Sequence, residues 1–271
     1  MKKLNLNGIT LVELLVVLVI SSFIISAGFA IYIRSHQTYL AQTEVSDAQY
    51  RVRNALREIS DDVRMAGYLI PTSLSPFVTK NTNPDTVMVY RQPANSCQVN
   101  LTAVMASPTA NIVCGGGQTL TCFKNGQMAY IYDVVTKAGE FFTISTVDNG
   151  NGWVQHVGSP LTKSYPANSQ VMTIDYNKFY IDNTTDVNHP RLMVSRNGAA
   201  AVLYAVDIQD LQLVYTLADG STTSAPANSK LIRKVQITLQ GQTQKSDVDW
   251  NRLYRQRSFA TNVKVRNLDL Q

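Results

Sequence analysis

The first 34 residues constrain this chain more than any other stretch. A short basic leader, Met1-Lys2-Lys3-Leu4-Asn5-Leu6-Asn7-Gly8, gives way at Ile9 to a long apolar run. After Glu13 no charged side chain occurs until Arg34. Between Leu14 and Ile33 the only interruptions are three serines and one glycine. As a helix, that stretch covers about 30 Å, the thickness of a bilayer's hydrocarbon core. Two lysines ahead of the span and none inside it favour a cytoplasmic N-terminus. Glu13 is the anomaly. An ionised carboxylate in lipid costs at least ~2.5 kcal/mol on insertion scales, so it should be paired or carry a function.

An ordinary secretory signal is cut after its apolar region, between small residues. Ser26-Ala27-Gly28 imitates such a site but leaves Glu13 unexplained. A plain membrane anchor gains nothing from that acid either. Beyond the span a helical pattern continues. Val45, Ala48, Val52, Ala55, Leu56, Ile59, Val63 and Ala66 recur at steps of three and four, as one face of an α-helix requires. The other side carries Glu44, Asp47, Arg51, Arg53, Arg57, Glu58, Asp61, Asp62 and Arg64. Asp47 and Arg51 stand at the spacing of a helical ion pair. Gly67 and Pro71 supply a stop. A helix from Ile9 to Ala66 would measure about 87 Å.

Gly8, Ile9, Thr10, Leu11, Val12, Glu13 and Leu14 together resemble the class III signal of type IV prepilins. The resemblance implies a membrane-bound prepilin peptidase that cuts between Gly8 and Ile9 and methylates the new amine of Ile9. It also implies that Glu13, fifth in the mature chain, is the assembly contact that meets the N-terminal amine of a neighbouring subunit. One position departs from the pattern: the family usually has phenylalanine after the cut, where this chain has the large apolar Ile9. Further matches narrow the family. Tyr39–Gln49, Arg53-Asn54-Ala55-Leu56 and Ser60–Tyr68 look like PilW-type minor pilins, whose helix closes on a phrase similar to Asp62-Val63-Arg64-Met65-Ala66-Gly67-Tyr68. Arg64 and Tyr68 read as structural there, anchoring the helix end to a sheet.

The remainder reads as β-rich. Strands are predicted over Thr86–Arg91, Met128–Val135, Glu140–Val147, Gln170–Tyr176 and Arg191–Ser195. Turn signals lie between them at Asn83-Pro84-Asp85, Asp148–Gly152 and Asn197-Gly198. In the last third Leu211, Leu213, Tyr215 and Leu217 alternate before a turn at Asp219-Gly220. Val235, Ile237 and Leu239 follow, then a polar loop over Gly241–Asp249. A final strand runs from Phe259 to Arg266, with Phe259, Val263 and Val265 on one face. Such strands build an antiparallel sheet that the helix covers with its apolar stripe. Ile208–Tyr215 and Arg257–Val263 are again similar to PilW-type and J-type pseudopilin chains. The expected fold is therefore α+β and pilin-like. It comprises a leader at 1–8, a membrane and assembly half of the helix at 9–33, and an amphipathic half at 34–67. A periplasmic head at 68–271 follows, with an enlarged insertion at about 84–200 and a C-terminal sheet at about 201–271.

Three cysteines, Cys97, Cys114 and Cys122, fall in that head, where disulfides are permitted. One bridge at most can form within the chain. Cys114 and Cys122 flank a loop containing Gly115-Gly116-Gly117, which favours that pair, while Cys97 with one of them stays open. The spacings fit no zinc finger, and His36, His156 and His189 are scattered, so no metal site is expected. No P-loop, dinucleotide fingerprint or catalytic triad pattern is found; the chain is read as a non-enzyme without a cofactor. Asp148–Gly152 lacks the terminal glutamate of an EF-hand loop and reads as a hairpin turn. Lys245, Arg252, Arg255, Arg257, Lys264 and Arg266 outnumber Asp247, Asp249 and Asp269 near the end. Some pilins contact DNA, yet a solvated rim or a contact with another pilin is the stronger reading. Loss of Lys2 and Lys3 lowers the net charge of +5 by two, leaving a mildly basic chain.

The resemblance implies a minor pilin that primes a type IV pilus and sits at its tip, for adhesion, twitching motility or DNA uptake. Its partners would be prepilin peptidase, other minor pilins, the major pilin and an inner-membrane assembly platform. It would reside in the bacterial inner membrane with a periplasmic head, then at the pilus or cell surface. A J-type pseudopilin of type II secretion and a membrane-anchored periplasmic binding module are the alternatives.

Overall fold

A computed structural model of the protein describes residues 10–93, 96–115, 119–247, 251 and 253–268. Gly8 and Ile9 lie outside the described residues, as do Gly116, Gly117, Asp249, Arg252 and Asp269. The architecture is α+β, a long N-terminal helix followed by antiparallel sheets. Helix α1 (Leu11–Met65) has 55 residues, about 82 Å of rise. Of the predicted stripe, Ala48, Val52, Ala55, Leu56, Ile59, Val63 and Ala66 are buried, and Val45 is half-buried.

Two residues assigned to the polar side behave otherwise. Asp62 is buried, because it follows Ile59 by three and so falls on the inner face. There its carboxylate accepts from Arg91 and from the Asn177 amide. Arg51 reaches across to Asp207, 3.4 Å away, instead of forming the predicted pair with Asp47. The anchoring expected of Arg64 and Tyr68 is also redistributed. Arg64 pairs with exposed Asp61 on its own helix. The backbone carries the attachment: Gly67 donates to the Tyr90 carbonyl at 3.0 Å and Gln92 to the Tyr68 carbonyl at 2.9 Å. Gly67 ends the helix with φ +77°, and a Cβ there would meet Leu268 Cδ2 at 2.8 Å, so only glycine fits both constraints.

The strands in chain order are β1 (Phe77–Lys80), β2 (Thr86–Arg91), β3 (Gln98–Asn100), β4 (Ile112–Val113) and β5 (Met128–Asp133). Next come β6 (Ala138–Thr143), β7 (Thr146–Asp148), β8 (Trp153–Gln155), β9 (Gln170–Thr173) and β10 (Asp175–Asp182). The rest are β11 (Arg191–Arg196), β12 (Val202–Val206), β13 (Ile208–Leu217), β14 (Thr222–Thr223), β15 (Ile232–Gln242) and β16 (Gln256–Lys264). Two sheets, β1-β2-β10-β11-β12 and β14-β13-β15-β16, form the main body, and all their pairings are antiparallel. Two further sheets, β3-β9-β5-β6 and β4-β8-β7, hold the remaining strands.

The α1 stripe shares one core with both large sheets, including Val87, Val89, Phe179, Ile181, Leu192 and Val194 from the first and Leu211, Leu213, Val235, Ile237 and Val263 from the second. The segment 84–200 is therefore not one insertion: β2, β10 and β11 belong to the main core. The stretch carrying β3 to β9 builds a separate core, around Val99, Leu101, Ile131, Phe142 and Val171, and a smaller cluster joins Ile70 and Ile174 to Tyr130, Tyr132 and Met172. The predicted strand Gln170–Tyr176 is two strands, because β9 ends at Thr173 in the small sheet and β10 starts at Asp175 in the large one. Glu140–Val147 likewise divides between β6 and β7. The Asp148–Gly152 hairpin is present, with Asp148 opposite Trp153 and its carboxylate accepting from the Asn151 backbone and amide.

Two contacts fix the main body. Gly241, predicted to open a loop, lies inside β15, and a Cβ on it would stand 2.3 Å from Val52 Cγ2 of α1. Helix and sheet approach that closely because the side chain is missing. Asp85, predicted only as a turn residue, joins the sheets. Its N–H donates to the Leu211 carbonyl and its carboxylate accepts from Leu213 N, both at 2.8 Å.

Candidate assembly surface

Between Leu11 and Leu40 nearly every side chain of α1 is exposed, with Leu11, Phe23, Ile24 and Ile31 each more than two-thirds open. Among the described residues α1 is the helix long and apolar enough to cross a membrane, and none of its most apolar window is buried within the chain. Burying one such aliphatic side chain is worth about 1.5–3 kcal/mol. An exposed surface of this extent therefore calls for lipid or another protein against it.

Glu13 sits in the first turn of this helix. Thr10 is the N-cap: its hydroxyl accepts from Glu13 N at 3.3 Å. Glu13 Oε2 accepts from both Thr10 N and Thr10 Oγ1, each at 2.9 Å. This reciprocal arrangement is a capping box, and the Thr-x-x-Glu spacing that signals it was present in the sequence. It gives the acid a role inside its own chain by satisfying a helix-end N–H. Glu13 Oε1 takes no hydrogen bond from any described residue and stays open to a second donor.

The cysteine pairing differs from the favoured one. Cys97 and Cys122 form the disulfide, with Cα atoms 5.6 Å apart. Cys114 is instead a buried thiol in the second core. Its backbone N–H is tied to the Gly152 carbonyl at 2.8 Å, which holds it inward beside β4, whereas Cys122 lies on an exposed turn. Burial pushes the Cys114 thiol up to about 11, so it is a poor nucleophile at neutral pH.

The histidines do not converge. His36 stacks near Tyr32 on α1. His156 has a backbone carbonyl at each ring nitrogen, Ser159 at 3.1 Å and Ala110 at 2.9 Å. His189 Nδ1 meets Asp207 Oδ1 at 2.6 Å, a pairing that sequence reading missed because eighteen residues separate the partners. Asp207 is 1% exposed, has φ +59°, and also faces Arg51. This clasp ties α1 to the β12–β13 junction. His189 Nε2 has no hydrogen-bonded nucleophile among the described residues. Nor do those residues contain a cluster of three or more metal-ligating groups.

The basic C-terminal patch is partly neutralised. Arg255 Nε lies 2.5 Å from Asp247, and Lys245 lies 3.9 Å from Glu44 of α1. Both pairs border a groove of about 200 Å³ against Leu40 and Ala41, where α1 leaves the head. Compared with protein-family models, curated proteins and solved structures, this chain matches none.

Proposed function

We propose that this chain is a type IV prepilin of the minor-pilin class, a non-enzymatic subunit that primes a pilus and remains at its tip. The observation that carries this reading is the unbroken α1. Its first half buries nothing in its own chain, its second half is cemented into a head, and an acid stands in its first turn. Such a helix suits a subunit that waits in the inner membrane and later packs among the helices of a filament. Prepilin peptidase would remove Met1–Gly8 and methylate Ile9. The assembly platform, the major pilin and other minor pilins would then receive the apolar half. The open Glu13 Oε1 is available to the amine of a neighbour. A head with a second core adds bulk that a tightly repeating shaft would resist, whereas a tip leaves one side free.

Mass spectrometry of the protein from native membranes tests the processing step. A methylated N-terminus at Ile9 is expected; an N-terminus at Met1 or beyond Ser26 would remove the basis of this reading. Electron microscopy of a deletion strain tests the assembly role, with few or no surface pili expected while major pilin is still made. Normal piliation with lost exoprotein secretion would assign the chain to the J-type pseudopilins instead.

A further inference from the structure

Where α1 ends, the segment 67–71 faces the sheet β3-β9-β5-β6 across a groove of about 460 Å³, within the size range of small-ligand sites. Strand register builds one wall. Tyr132 lies opposite Gln170, and Gln98 lies opposite Met172. Opposed residues, and residues two apart on a strand, share a sheet face, so these four side chains stand together. Tyr68, Leu69 and Asn267 line the other side. Leu69 is 62% exposed and is held at φ +51°, an uncommon backbone state for a non-glycine residue.

The polar groups here are open. Neither the Gln98 nor the Gln170 carboxamide, nor the hydroxyls of Tyr68 and Tyr132, makes a hydrogen bond to any described residue. Asn267 spends only its Nδ2, on the Ala66 carbonyl at 3.3 Å. No charged side chain lines the groove.

We propose that this groove binds a neutral pyranose sugar. A carboxamide presents a donor and an acceptor side by side, and a tyrosine hydroxyl can act as either. Adjacent sugar hydroxyls have the same dual character, so each pair of hydroxyls finds matching partners. Exposed Leu69 and the half-buried Tyr68 ring offer apolar surface for the C–H face of the ring, over a floor of buried Met172 and Tyr132. A phosphate, nucleotide or acidic sugar would be desolvated without a counter-charge. A peptide strand would look for unpaired backbone at a sheet edge, whereas this wall is a sheet face made of side chains. The site does not depend on the pilus reading, since binding is measured on the isolated chain.

The test is saturation-transfer NMR on the full chain in polyoxyethylene micelles, which carry no sugar headgroup. Triacetylchitotriose and maltotriose are the neutral probes and sialyllactose the acidic one. Transfer to at least one neutral trisaccharide and little to sialyllactose is expected, and a preference between the two would tell amino-sugar glycans from hydroxyl-only ones. Gln98→Ala with Gln170→Ala should weaken binding about tenfold or more, as loss of two hydrogen-bonding groups implies. Because Gln98 is exposed and Gln170 half-buried, the thermal melt should stay unchanged. No transfer to either neutral sugar, equal transfer to sialyllactose, or undiminished binding by the double variant would overturn the proposal. A peptide-bound groove would show the first of these outcomes.

Discussion

From Leu14 to Ile33 α1 turns apolar side chains outward on all sides, whereas from Ala48 to Ala66 the chain sets a narrow aliphatic stripe into a core. The first half is dense in valine, leucine and isoleucine, whereas the second confines Val52, Leu56, Ile59 and Val63 to one side among charged residues, so both composition and arrangement separate them. An all-round apolar helix has no face to offer a single sheet, so its partner must surround it, as lipid or neighbouring helices do. A stripe at steps of three and four offers one face and leaves the rest to water. The fold of the head is therefore decided by the second half, and the first half is left for something outside the chain.

The comparison is broken most directly at Ile59, fully buried among strands of both large sheets. Ile59→Ala should destabilise the head by about 2–5 kcal/mol, read as a large fall in thermal midpoint in detergent. Phe23→Ala, a similar truncation in the exposed half, should leave that midpoint unchanged. An equal loss from both would mean the two halves are not thermodynamically separate.

Gly241→Ala is the next test, because it adds an atom on the sheet side of the same contact. The new Cβ would stand 2.3 Å from Val52 Cγ2, so helix and strand must move apart, at about 1–3 kcal/mol. Shortening the neighbour should restore part of it: Gly241→Ala with Val52→Ala is expected to be less destabilised than the sum of the two single variants, by denaturant unfolding.

These two contacts differ in how legible they were. Ile59 stands in a periodic stripe, and periodicity is the signal a sequence states most clearly. Gly241 reads as a loop residue, since nothing local reveals that a helix nearly two hundred positions earlier needs the space. The part of β10 beyond Tyr176 was missed for a related reason. Its inner face carries Asn177 ahead of Phe179 and Ile181, and that polar residue breaks the alternation because it is spent on Asp62. Of the candidate assembly residues, Glu13 was visible as an anomaly, and the Thr10 cap could have been read from its spacing. The cysteine pairing could not, because chain proximity favours Cys114 with Cys122, while the tie from Cys114 to Gly152 is long-range.

A smaller, pH-graded effect is expected at Asp62. Burial is the main cause that raises its carboxyl above the usual aspartate range, with Asn177 and Arg91 opposing it. A raised folded-state value means the folded head prefers the protonated acid. That preference contributes stability below about pH 4, the ordinary aspartate value, and is lost as pH rises through the folded value. Asp62→Asn has no such titration, so its stability relative to wild type should improve as pH is raised from the acid side. Parallel stability–pH curves for the two proteins would show that burial is not what governs this carboxyl.

The smallest effect is expected at Thr10 and, if the chain is the pilin proposed above, it separates two roles for Glu13. If the acid serves only the capping box, Thr10→Ala and Glu13→Ala each break its reciprocal bonding and should impair assembly alike. If Glu13 also meets a neighbouring amine, Glu13→Ala should be cleaved and retained in the membrane yet enter filaments poorly, while Thr10→Ala retains the carboxylate and assembles nearly normally. Losing the cap costs about 1 kcal/mol of helix stability, confined to the first turn, so neither variant should move the thermal midpoint of the head. Pilus counts for the two strains, with the head melt as control, decide between the roles. Matching defects would assign Glu13 to the cap alone, since Thr10→Ala leaves its charge and the N–H of residue 10 in place and removes only the hydroxyl side of the box.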